Sequence, residues 1–155
     1  MATTTASISL TNDITSSSVS ISASFNLLKA GSAVGMGGFS SVSKVFKSTD
    51  QVDLITAISA PGVAGTADDS AASSHNFVYI HNASTDPGEF ITVTQGNAAG
   101  SSTEVIVEQI GRLYGGDWMF FPWNSQVTAS ADDTGDICVK PSVATEMPIE
   151  FMLFS

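Results

Sequence analysis

The 155-residue sequence predicts an all-β fold. The architecture expected is a β-sandwich or jelly roll of about nine to ten short antiparallel strands with an extended N-terminal arm. Three observations carry this expectation. Apolar residues alternate with polar ones in several segments, the period of a half-buried strand. Clusters of Gly, Pro, Asn, Asp and Ser separate these segments at short intervals. No long segment keeps the 3.6-residue period of a helix.

The alternation is clearest near the N-terminus. Ala6, Ile8 and Leu10 alternate with Ser7, Ser9 and Thr11. Val19, Ile21, Ala23 and Phe25 do the same with Ser18, Ser20, Ser22 and Ser24. Turn-forming residues 12–17 between the two runs predict a hairpin or a bent pair. The Gly-, Ser- and Ala-rich stretch 30–41 predicts a loop, without the spacing or the Lys of a phosphate-binding loop. Residues 42–49 and 51–58 predict two further strands. Residues 59–74, with Pro61-Gly62, Gly65 and Asp68-Asp69, predict a long loop or hinge. The expected division is therefore 1–58 as N-terminal strands or arm, 59–74 as the loop, and 75–155 as the main sandwich, within one domain overall.

The later strands are more apolar. Asn76 to Asn82, with Val78, Tyr79 and Ile80 at its centre, predicts a central strand. Asp86-Pro87-Gly88-Glu89 is a turn by composition, and Phe90 to Gln95 is an alternating strand. Residues 96–102 predict a loop and Glu104 to Ile110 a strand. A turn is expected over Gly111 to Asp117, around Gly115-Gly116. The aromatic run Trp118-Met119-Phe120-Phe121-Pro122-Trp123 follows. Residues 127–130, 137–140 and 149–154 complete the set.

Composition narrows the function. Charged residues are 13% of the chain, about half the usual share. A surface rich in Ser, Thr, Gly and Ala suits contact with copies or partners, since few charges need desolvating. The net charge of −10 would be repelled by phosphate backbones, so no nucleic-acid partner is expected. No apolar run reaches the roughly 18 residues of a membrane span, and no membrane partner is expected. The N-terminus lacks the basic start and apolar core of a signal peptide.

The supply of catalytic groups is thin. His75 and His81 flank one apolar strand without a third ligand nearby, so no metal role is expected. The acidic segment Asp132 to Asp136 could gather oxygens for calcium, but lacks the ligand order of an EF-hand; an ordinary turn is expected. Cys138 lies in an apolar strand and reads as a packed, inert thiol. No Gly-x-Ser-x-Gly elbow occurs. Neither a catalytic residue nor a cofactor is expected. The lone arginine, Arg112, would anchor a carboxylate in its own fold or across a subunit boundary. Trp118 and Trp123 read as core or interface together with Tyr79 and Phe120, with sugar stacking as the alternative.

The succession Asn76 to Asn82, Phe90-Ile91-Thr92-Val93, Arg112 to Trp123 and Ile149 to Phe154 resembles small virion proteins of tailed, cyanophage-like bacteriophages. The resemblance covers roughly residues 75–155. It implies a capsid decoration, or cement, protein at the virion surface, made in the host cytoplasm. Its partners would be the major capsid protein or other virion proteins, and it would form a dimer or trimer. A tail, neck or fibre-associated protein is the alternative within that class, and a carbohydrate-binding β-sandwich the alternative outside it. Interface residues are expected in the arm at Ile8, Leu10, Val19 and Ile21, then at Arg112 and at Phe151 and Phe154.

Overall fold

The computed structural model describes residues 3–12, 19–28, 33–36, 39–56, 67–68, 77–95, 108–123 and 136–154. Within them lie β1 (Thr5–Asn12), β2 (Val19–Asn26), β3 (Phe39–Phe46), β4 (Val52–Thr56), β5 (Ala67–Asp68) and β6 (Phe77–Asn82). The chain continues through β7 (Phe90–Gln95), β8 (Glu108–Tyr114), β9 (Trp118–Pro122), β10 (Ile137–Pro141) and β11 (Met147–Phe154). The fold is all-β, as the period-two alternation predicts.

Two sheets form the body. One has the order β3-β11-β6-β9, the other β5-β4-β10-β7-β8. The pairs β7–β8, β6–β9, β4–β10 and β3–β11 are antiparallel and nested about the centre of the chain. The sequence thus forms one long hairpin whose two arms are rolled up together. The pairs β10–β7 and β11–β6 complete the sheets. Eight strands connected in this way are a jelly roll. The two-residue β5 adds a parallel edge to β4, so the pairing is not wholly antiparallel.

The core lies between the sheets. Along β11, Met147, Ile149, Phe151 and Leu153 are buried and face Val78 and Ile80 of β6 and Val93 and Val139 of the opposite sheet within one cluster. The buried positions alternate along β6 and β11, because each strand presents one face to the core.

Several expected boundaries move. β3 starts at Phe39, inside the expected loop 30–41. β8 runs through Gly111 and Arg112 to Tyr114, where a turn was expected from Gly111. Pairing with β7 carries the strand past its glycine, with a register shift between Val93 and Thr94. The turn itself is confined to Gly115-Gly116, where Gly116 has φ of 87°. β3 and β4 belong to the two sheets, so the arm expected over 1–58 narrows to β1 and β2. Apart from Ala67–Asp68, the expected loop 59–74 lies outside the described residues, as do the expected strand at 127–130, His75 and residues 132–135.

Candidate interaction surface

β1 and β2 pair only with each other, as a two-stranded ribbon. Cross-strand partners are Ala6↔Phe25, Ile8↔Ala23 and Leu10↔Ile21, so these six residues share one face. The other face is polar: Thr5 Oγ1 donates to Asn26 Oδ1 at 3.0 Å and Ser7 Oγ to Ser24 Oγ at 3.2 Å. The ribbon's foot is tied down by backbone hydrogen bonds from Leu27 N to Thr4 O and from Met36 N to Leu27 O. Leu27 and Met36 are buried there. Toward the other end, Leu10 is 60% exposed and Ile21 56%. An isolated two-stranded ribbon is marginal in water, and this one turns aliphatic side chains to solvent.

At its foot the ribbon meets the body, where the Phe25 and Phe77 rings lie 6.4 Å apart. Phe77 belongs to the outward row of the β3-β11-β6-β9 sheet. Register fixes the rest of that face: Phe154↔Phe77↔Pro122, then Met152↔Tyr79↔Phe120, then Glu150↔His81↔Trp118. The rings pack on one another. Phe77 stacks on Phe120 at 5.2 Å, Phe120 meets Phe154 edge-on at 5.9 Å, and Tyr79 lies 6.0 Å from Trp118. Trp118 is 54% exposed at the sheet edge. His81 Nδ1 lies 3.2 Å from Glu150 Oε2. Burial and the nearby Glu150 carboxylate push the Tyr79 phenol above its ordinary value, keeping it neutral.

The outward face of the second sheet is different. It carries Thr92, Asp53, Lys140 and Arg112 together with Thr94 and Cys138, which are buried, and has Phe90 and Tyr114 at one end. The Arg112 guanidinium sits 4.6 Å above the Phe90 ring, a cation–π contact within its own fold. Cys138 is buried and its Sγ donates to Asp53 Oδ1 at 3.1 Å. Burial, then the hydrogen bond and charge of Asp53, push its thiol far up, which suppresses the thiolate.

Comparison with protein-family models, curated proteins and solved structures found no match to this chain.

The expected site residues therefore divide. Ile8, Leu10 and Ile21 share the ribbon's apolar face; Val19 pairs with Asn12, and its side chain lies outside the described part. Phe154 is half-buried on the aromatic face. Phe151 is 1% exposed and belongs to the core, which corrects its placement at an interface. It lies one register step from Phe154's parity, and that single step reverses the face. The aromatic run divides in the same way. Trp123 is buried, Trp118 is solvent-facing, and Tyr79 and Phe120 are half-buried on the outer face, so the core-or-interface expectation divides, with Trp123 in the core and Trp118 outside it. A sugar platform made of both tryptophans is excluded by the burial of Trp123. Phe77 and Phe25 were not among the expected interface residues; their alternation with Val78 and Ser24 was the available signal. Among the described residues no group of three His, Cys, Asp or Glu is placed to hold a metal, and no helix is long and apolar enough to cross a membrane.

Proposed function

We propose that this protein is a structural component of a tailed-phage virion, a capsid decoration protein that braces the head by bridging neighbouring subunits. The observation that carries this reading is the asymmetry of the two outer sheet faces. One carries the charged residues Asp53, Lys140 and Arg112; the other is aromatic and joins the apolar face of an uncharged ribbon at Phe25 and Phe77. Connected apolar surface of this kind marks an assembly interface. Fold alone selects no function, although jelly rolls do recur among capsid proteins. The sequence resemblance over residues 75–155 supplies the particle. Stabilisation would be mechanical: apolar area buried between neighbours favours the assembled state alone.

Immunogold labelling of tailed virions whose genome carries this sequence tests the proposal. Label distributed over the heads is expected. Label confined to the neck, tail or fibres would move the protein to that part of the virion, and unlabelled particles would refute a virion role.

One observation favours a second reading, a glycan-binding module. Trp118 is exposed beside Tyr79, in the same row as the His81–Glu150 pair. An aromatic plane next to a carboxylate can stack on a sugar ring and accept its hydroxyl protons. Titrating host polysaccharides against Trp fluorescence checks this. A saturable change that Trp118→Ala abolishes would support it, and a flat titration would remove it.

A further inference from the structure

We infer that two copies of this chain associate by exchanging ribbons, the β1–β2 ribbon of each lying across the aromatic outer face of the other's β3-β11-β6-β9 sheet. This names the occupant of the surface on which the proposed function rests.

Among the described residues, charge favours this surface for self-association. At a net charge of −10, copies repel one another over most of their exterior. The strands of the ribbon, Thr-Ala-Ser-Ile-Ser-Leu-Thr-Asn and Val-Ser-Ile-Ser-Ala-Ser-Phe-Asn, contain no charged residue. On the outward rows of β11, β6 and β9 the one carboxylate is Glu150, and it faces His81. These two surfaces can meet without desolvating an unpaired charge.

Both surfaces also need cover. No other described strand packs along the ribbon beyond its foot, and its most exposed apolar residues, Leu10 and Ile21, are cross-strand partners. The sheet face offers rings and the ribbon aliphatic side chains, a pairing suited to a third β layer stacked over the sheet.

Area decides between reciprocal and one-sided contact. Each ribbon strand has eight residues, which makes the ribbon about 26 Å long, and with side chains its face is about 10 Å wide. That footprint is roughly 260 Å², before the relief of side chains is counted. A one-sided contact covers it once on each partner, well short of the roughly 1,200–2,000 Å² of a stable interface. Reciprocal exchange doubles it to about 1,000 Å² of flat area, which side-chain relief carries into that range. Exchange also satisfies two-fold symmetry, since each copy supplies both halves of the contact.

Sedimentation velocity on the full chain, with two variants at exposed positions, tests the exchange. L10K/I21K charges the ribbon and W118K charges the sheet face; near-UV circular dichroism establishes that each remains folded. The wild type is expected to be a dimer at micromolar concentration. Each variant alone is expected to dimerise about a hundredfold more weakly. A mixture of the two is expected to associate no more tightly than either variant alone, because it keeps only one intact half of the contact, the intact ribbon of W118K on the intact face of L10K/I21K, and one half is too small to hold the dimer. A wild-type chain still monomeric at about 100 μM, the range of weak association, would overturn the proposal. So would a dimer lost in only one variant, which would mean ribbon-to-ribbon or face-to-face packing, or a mixture that dimerises as tightly as the wild type, which would mean a one-sided contact. The virion reading fails separately: a ribbon-exchanged dimer that never appears on particles would refute it and leave the exchange intact.

Discussion

At the scale of single residues, the turn between β8 and β9 is tightly constrained by its glycines. A Cβ on Gly115 would lie 2.2 Å from the carbonyl oxygen of Asp86 and 2.9 Å from that of Ser84. Both obstacles are backbone, so neither can swing aside. Gly115→Ala is expected to cost about 2–3 kcal/mol in urea denaturation. Gly116 has open space but a left-handed φ of 87°, so Gly116→Ala should cost about 1–2 kcal/mol. Cys138 gives a prediction of another kind. Its thiol should resist Ellman's reagent in the native protein at pH 8 and react once unfolded. Because its folded-state pKa is raised, the native state keeps the proton after the unfolded state has lost it. That contribution is complete below the ordinary thiol value of about 8.5 and declines as pH rises above it. Cys138→Ala should therefore remove a stability slope of about 1.4 kcal/mol per pH unit above pH 9. The inertness of this thiol was legible from its apolar neighbours Ile137 and Val139. The clash at Gly115 was not, because Asp86 is brought there by the adjoining β6–β7 turn.

At the scale of elements, the ribbon and the body should differ sharply in local stability. β7 and β10 are central in their sheet, and their amides should exchange with solvent only on global unfolding. Ribbon amides near Leu10 and Ile21 have one covering strand each and should exchange orders of magnitude faster in the L10K/I21K monomer. Hydrogen–deuterium exchange read by mass spectrometry checks this, and protection of the ribbon in that monomer would show that it packs on its own body. Strand existence was well marked in the sequence, since serine alternation along β1 and β2 and the apolar centre of β6 each fix a period. Strand ends were less legible. Tyr114 remains in β8 because β7 supplies partners on both sides of Gly111, a tertiary effect that overrides the turn preference of glycine.

At the scale of the whole molecule, the nested pairing couples distant parts of the chain. β3 pairs with β11 from Phe39↔Phe154 to Phe46↔Met147, so the sheet cannot close until nearly the whole described chain has come together. Refolding in stopped-flow fluorescence should accordingly take milliseconds to seconds, the range of folds dominated by long-range pairing. Phe151 sits in the middle of that closure, fully buried. Phe151→Ala should cost about 3–5 kcal/mol at equilibrium, whereas W118K, on the same sheet but solvent-facing, should stay within about 0.5 kcal/mol of wild type as a monomer. The fold class, most of the strands and the low charge that suits an assembly surface are legible along the chain, because side-chain period and composition are local properties. The face that each strand turns outward is not. That choice is set by register against neighbours far away in sequence, where a shift of one residue exchanges core for surface. It is why Phe151 and Trp123 lie in the core, why Trp118, Phe77 and Phe120 lie outside it, and why the ribbon's apolar face joins theirs.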